Sequence, residues 1–112
     1  MTTDERQDLA KWRITWRGDL SDDCSADWAG LLLRAEWMEK NSWWWWCVYD
    51  MQDVKEVQID SSNHYSSRCI GGVAARANAA NAARKYLLEL GCVLKAPPKR
   101  MRITVRRTGR IK

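Results

Sequence analysis

The sequence has no phenylalanine, one histidine and two prolines among its 112 residues. It also has no apolar run of 18 residues, which is about the length that a membrane-spanning helix needs. The first ten residues, MTTDERQDLA, are polar and acidic, whereas a secretory signal is basic and then apolar. These absences predict a cytosolic chain with no membrane partner.

Metal-ligating residues are few and poorly spaced. The cysteines are spread along the chain without a C-x-x-C pair, at Cys24, Cys47, Cys69 and Cys92. A single histidine cannot complete a tetrahedral set from them at the usual ligand spacing. We therefore expect no metal, no cofactor and four buried, reduced thiols that pack as small hydrophobic groups.

Tryptophan is abundant where phenylalanine is absent. The chain has eight tryptophans, and 46% of its residues are hydrophobic. That content suffices for the core of one small domain. Indole rings are large and apolar, so the tryptophans that a core does not hold need another surface to cover them.

Charge is divided unevenly along the chain. Residues 1–62 carry 13 acidic and 7 basic side chains, a net −6, and residues 63–112 carry 1 acidic and 12 basic, a net +11, which together give the +5 of the chain. This asymmetry favours either an acidic partner for the second half or pairing between the halves of neighbouring subunits.

Alternating apolar and polar residues predict an antiparallel sheet, with strands near 11–17, 31–38, 43–50, 56–62 and 101–106. The aromatic segment WWWWCVYD at 43–50 forms a hairpin with the next strand. Residues 28–38 also fit a helix, which would give a βαββαβ order. The stretch GDLSDDCSAD is predicted to be an acidic loop.

One long helix is predicted near 67–90, capped by Gly91. Its buried stripe is predicted to be Val73, Ala77, Ala80, Ala83, Leu87 and Leu90. The fold class is therefore α+β, with an antiparallel sheet packed against one helix. We expect a single domain over 1–112, with a loose N-terminal arm (1–10) and a basic C-terminal tail (107–112).

The segment IDSSNHYSSR, at 59–68, resembles the YegP-like family of small bacterial proteins, whose hairpin ends in a similar serine-rich stretch before a helix. The similarity extends over about residues 43–75. It implies three antiparallel strands followed by a helix, with 31–38 as the first strand. It implies no activity, since the family is uncharacterised. Size and composition are also similar to those of accessory proteins of phages, plasmids and integrons.

A catalytic site does not follow from the residues. His64 has serines nearby at positions 61, 62, 66 and 67. A nucleophile and its base need a fixed mutual geometry, which neighbours on one loop rarely have. The sequence contains no phosphate-binding loop and no metal motif. A non-enzymatic role is therefore favoured.

Two binding functions fit the sequence. The first is a protein-interaction module that forms a homodimer or higher homo-oligomer, because outward-facing tryptophans need cover and tryptophan is favoured at interface centres. Its predicted interface consists of Trp43, Trp44, Trp45 and Trp46. An acidic protein is a further possible partner for the basic half.

The alternative is a nucleic-acid-binding protein. Residues 95–112 contain eight basic side chains and no acidic one, which is typical of a surface that contacts phosphates. The candidate residues for binding an anion or nucleic acid are Arg13, Arg17, Arg68, Arg100, Arg102, Arg106 and Arg107.

Overall fold

The computed structural model describes residues 1–52, 55–65 and 69–94. Its elements in chain order are α1 (Thr3–Leu9), β1 (Arg17–Asp19), β2 (Asp23–Trp28), β3 (Leu31–Met38), β4 (Trp43–Gln52), β5 (Lys55–Ser61) and α2 (Gly72–Glu89). Short 3-10 turns follow β3, at Glu39–Asn41, and β5, at Ser62–His64. The predicted α+β class is confirmed.

The five strands form one antiparallel sheet in which each strand pairs with the next along the chain, β1-β2-β3-β4-β5. Strands β3 and β4 pair along the whole of β3, from Leu31 opposite Asp50 to Met38 opposite Trp43. The β2–β3 turn consists of Ala29 and Gly30, whose φ angles are 53° and 80°. Positive φ at both central residues is what a two-residue type I′ hairpin needs.

The predictions for the central strands are confirmed. Residues 31–38 form β3, and the helical alternative for 28–38 is wrong. Leu31, Leu33 and Ala35 are buried beneath α2, and β2 and β4 satisfy the β3 backbone on both sides. Pairing and burial outweigh the helix propensity of this segment. The predicted hairpin is formed by β4 and β5.

The first part of the sheet differs from the prediction. The strand predicted near 11–17 is wrong in extent, because only Arg17–Asp19 pairs with a neighbour. The place beside β3 is taken by β2, within the stretch predicted to be an acidic loop. Alternate residues of β2 are nevertheless buried, namely Cys24, Ala26 and Trp28.

The long helix is confirmed, but it begins later than predicted, at Gly72. Before it, Cys69 forms a bridge with Trp44, whose N–H donates to the Cys69 carbonyl at 2.8 Å. Cys69 therefore lies beside β4 beyond the end of β5, and the chain then turns into α2. Gly91 follows the helix with φ of +98°, as expected of a capping glycine.

The buried face of α2 agrees with the predicted stripe only at Ala83 and Leu87. Its buried residues are spaced four apart, at Ala75, Ala79, Ala83 and Leu87. Of the predicted set, Val73 is 75% exposed and Leu90 is 38% exposed. Alanines lie on several sides of the helix, so its faces differ little in hydrophobicity. The prediction therefore depended on larger residues such as Val73 and Leu90, which are in fact exposed.

Small residues let α2 lie close against β3 and β4. A Cβ atom on Gly72 would lie only 2.9 Å from Cζ2 of Trp44. Glycine at this position is therefore required by the packing of the helix on the indole ring.

The N-terminal residues, predicted to be a loose arm, form α1 and are anchored. Thr2 and Glu5 make a capping box at the start of the helix. Arg6 is buried, and its guanidinium donates to Asp50 Oδ1 at 2.8 Å. The Tyr86 hydroxyl donates to Asp50 Oδ2 at 2.6 Å. One carboxylate of β4 therefore holds both helices.

The four cysteines are free and buried, as predicted. Among the described residues, no three His, Cys, Asp or Glu side chains group in a way that could hold a metal ion. In the same part of the chain, no helix combines the length and apolarity needed to cross a membrane. The predicted strand 101–106 and tail 107–112 lie outside the described residues.

Candidate interaction surface

The four consecutive tryptophans divide between the two faces of β4, because successive strand residues point to opposite sides. Trp44 and Trp46 are 6% and 4% exposed and belong to the core beneath α2. Trp43 and Trp45 lie on the opposite face and are half-buried. The predicted interface therefore stays a prediction for Trp43 and Trp45 alone.

We call the side of the sheet opposite α2 the open face. Within the described residues, α2 packs on β3 and β4 from the other side, and α1 is bonded to Asp50 on that same side. The open face has a mostly apolar and aromatic centre on these strands, made by Leu32, Arg34, Glu36, Trp43, Trp45, Tyr49 and Met51.

An arginine lies over an indole at the middle of the open face. The guanidinium carbon of Arg34 is 5.5 Å from the centroid of the Trp45 ring, within cation–π range. The same guanidinium lies 3.5 Å from Glu36 and 3.7 Å from Asp23. These exposed ion pairs add little stability. They do hold Arg34 in a defined position beside the aromatic ring.

A thiol lies beneath this layer. Cys47 is fully buried, and its burial raises its pKa to about 11. A side-chain hydrogen bond with Cys47, with burial adding to it, raises the pKa of Tyr49. Because the thiolate is the reactive form, a buried thiol with a raised pKa is inert at neutral pH. Cys47 therefore packs as a neutral thiol beneath the open face at neutral pH.

The margin of the open face is rich in acidic side chains. The strand registers place four acidic residues and one arginine at this margin: Asp19, Asp23, Asp27 and Glu56, with Arg17. Glu36 and Arg34 add one charge of each sign at the centre. Arg17 pairs with Asp27. The described part of the face therefore has an excess of negative charge.

The arginines predicted to bind an anion do not form a basic patch in the described residues. Arg13 is exposed in the segment before β1, and the charge of Arg17 is balanced by Asp27. The others lie outside the described residues: Arg68, Arg100, Arg102, Arg106 and Arg107.

His64 and two of its serine neighbours have hydrogen-bond partners within the same loop and on β4. Its Nδ1 lies 3.0 Å from Asp60 Oδ1. Ser61 is fully buried, and the Ser62 hydroxyl accepts a hydrogen bond from the Trp46 N–H at 3.2 Å. The Ser61 hydroxyl likewise accepts a hydrogen bond from the Asn63 N–H, so both hydroxyls bind backbone groups. The other two serines of the loop lie outside the described residues, at Ser66 and Ser67.

Comparison with known proteins does not assign this surface. No family model matches the chain, and neither a curated protein nor a solved structure matches it. The YegP-like resemblance stays a prediction.

Proposed function

We propose that the chain is a non-catalytic protein-interaction module that self-associates through the open face. One observation carries the proposal: Trp45, Tyr49, Leu32 and Met51 form an apolar strip on a sheet face that the described helices leave uncovered. Met51 is 47% exposed at one end of this strip. Tryptophan, tyrosine and arginine are the residues enriched at interface hot spots.

The charge distribution supports a second copy of the chain as the partner. The open face has an acidic margin, and residues 95–112 carry eight basic side chains and no acid. In a two-fold dimer, each copy offers its acidic margin to the basic segment of the other, so the favourable pairing occurs twice.

Sedimentation of the full chain over a concentration series tests the apolar part of this interface. Trp45→Ala should raise the dimer dissociation constant by at least about tenfold, because it removes the largest ring of the strip. Trp12→Ala is the matched control, since Trp12 is 71% exposed and lies outside the sheet. A monomeric wild-type chain, or equal loosening by both variants, would contradict the proposal.

The electrostatic part has a separate test. Added salt should weaken the dimer, because exposed charge pairs are screened within about 10 Å at 0.1 M ionic strength. Substitution of Arg102 and Arg106 by Gln should weaken the dimer and reduce its sensitivity to salt. A dimer whose affinity is the same at all salt concentrations would contradict the charge complementarity, though not the apolar strip.

Nucleic-acid binding is the second candidate, and the basic segment 95–112 favours it. Affinity for an arbitrary oligonucleotide should then fall steeply with salt, because phosphate binding releases counterions. Replacing Arg102 and Arg106 by Ala should reduce the slope by about one unit for each phosphate that the variant no longer neutralises. The acidic margin of the open face opposes this function. Absence of binding at low salt would eliminate it.

A further inference from the structure

A cavity of about 420 Å³ lies on the covered side of the sheet, between α2 and the end of β5. Its volume is within the range of small-molecule sites. The described residues that line it are Trp46, Asp60, Tyr65, Asn78, Asn81, Ala82 and Lys85. It is separate from the open face, which lies on the other side of β4.

One wall of the cavity is a stripe along α2. Its residues follow Asn78 at intervals of three, four and seven positions, namely Asn81, Ala82 and Lys85. This spacing places all four on one face of the helix. Asn78 donates to the Cys69 sulfur at 3.0 Å, a weak acceptor. Within the described residues, Lys85 makes no ion pair and the Asn81 side chain makes no hydrogen bond.

The opposite wall contains a fixed carboxylate. Asp60 receives the Tyr65 hydroxyl at 2.7 Å and the Ser61 N–H at 2.8 Å, and His64 lies 3.0 Å away. Burial alone would raise the pKa of Asp60, but hydrogen bonds from His64, Tyr65 and the Ser61 backbone outweigh it and lower that pKa. Asp60 is therefore ionised at neutral pH and keeps lone pairs for a further donor.

An aromatic wall joins the two polar ones. The rings of Trp46 and Tyr65 are 5.8 Å apart between centroids and inclined at 30°. Trp46 is held in the core, whereas Tyr65 is 54% exposed. A flat ring that enters the cavity can stack on this pair, since aromatic groups attract at centroid separations of about 4.5–7 Å.

We propose that this cavity binds a small planar heteroaromatic molecule that has an N–H donor on its ring system and an anionic substituent. The ring stacks against Tyr65, the donor bonds to Asp60, and the anionic group bonds to Lys85 and the Asn81 amide. Phosphate and carboxylate satisfy the same groups, so the class of ligand is defined by the combination of ring, donor and anion.

Titration calorimetry on the full chain with two probes tests this assignment. Adenosine 5′-monophosphate carries a phosphate and indole-3-acetate a carboxylate, and both have an N–H donor. Adenosine lacks the anionic group, and inorganic phosphate lacks the ring and its N–H donor. At least one of the two anionic probes should bind, and it should bind about tenfold more tightly than either fragment, as expected for a charge-assisted bond to Lys85.

Two variants locate the binding. Lys85→Gln should weaken the bound probe about tenfold and leave adenosine unaffected, because only the anionic group contacts the ammonium. Asn81→Ala should also weaken it. Lys40→Gln is the matched control for charge, since Lys40 is exposed in the turn after β3. Circular dichroism confirms that each variant is folded.

The outcomes are distinct. Selective binding of adenosine monophosphate identifies a phosphate ligand, and selective binding of indole-3-acetate identifies a carboxylate ligand; either supports the assignment. Absence of saturable binding by both probes would overturn it. So would binding that Lys85→Gln and Lys40→Gln weaken equally, because the anion would then respond only to net charge.

Discussion

The two faces of the sheet obey different physical constraints, although they share the same strands. The covered face is filled by small residues of α2 against large rings, with the buried Arg6–Asp50 ion pair at one end. The open face is covered by its own long side chains and by exposed ion pairs. Substitutions at neighbouring positions of β4 should therefore lower the free energy of unfolding by very different amounts.

The largest contrast is expected between two adjacent tryptophans. Trp44→Ala should lower the free energy of unfolding by about 3–5 kcal/mol, because it empties a site packed against Gly72 and α2. Trp45→Ala should lower it by only about 1 kcal/mol, because its ring is half-solvated. Urea unfolding of both variants, below the concentration at which the chain associates, measures the difference. Similar losses would show that the open face is as tightly packed as the covered one.

The buried ion pair gives the next largest effect. Arg6→Met should cost about 3 kcal/mol in the free energy of unfolding, because it breaks the buried Arg6–Asp50 ion pair. Arg13→Met, at an exposed position, serves as the control. Combining Arg6→Met with Asp50→Asn should recover part of the loss, since the carboxylate charge is then removed as well. A double variant less stable than Arg6→Met would contradict this account.

A pair of neighbouring glycines tests how closely α2 approaches the sheet. Gly72→Ala should destabilise the protein by about 1–3 kcal/mol, because the new methyl group overlaps the Trp44 ring. Gly71→Ala should be close to neutral, since its Cβ would meet nothing within 4 Å. Thermal unfolding of the two variants provides the comparison. A stable Gly72→Ala variant would mean that the helix can move away from the sheet.

The smallest expected effect is a dependence on alkaline pH. Burial, with the hydrogen bond to Asp50, raises the pKa of Tyr86 from 10.0 to about 12. The folded state thus favours the neutral phenol, so its stabilising contribution is complete below pH 10 and is lost as pH rises towards 12. Tyr86→Phe should lose less stability over this window than the wild type. Equal losses in urea titrations would show that Tyr86 ionises freely in the folded protein.

The prediction of the sheet succeeded where side chains contrast strongly. Residues 43–50 are aromatic and β-branched, so this strand follows from the residues themselves. Residues 31–38 fit a helix equally well, and the preference for a strand there came from the YegP-like resemblance. Strand β2 was missed because Asp, Ser, Cys and Ala have weak strand propensity and its acidic neighbours look like a loop. The alternation of Cys24, Ala26 and Trp28 was the available signal.

The helix faces and the candidate sites were harder to predict. Alanines on several sides of α2 leave the buried side undetermined until the sheet is placed against it. Of the four tryptophans on β4, alternation predicts two on each side, but only the packing of α2 decides which two are covered. Asn78, Asn81 and Lys85 resemble an ordinary solvated stripe, and their role depends on Asp60, which lies elsewhere in the sequence.

Helix α1 is anchored by residues that are synthesised after it. The strands pair with their sequence neighbours and can form as they are synthesised, whereas Arg6 must wait for Asp50. The last partners of α1 come later still, since Val93 N–H donates to the Gln7 side chain at 2.7 Å. The residues of α1 are therefore synthesised before their partners and must wait for them to reach their final position. An N-terminal fusion that delays this docking should slow the final step of folding and leave the hairpins intact.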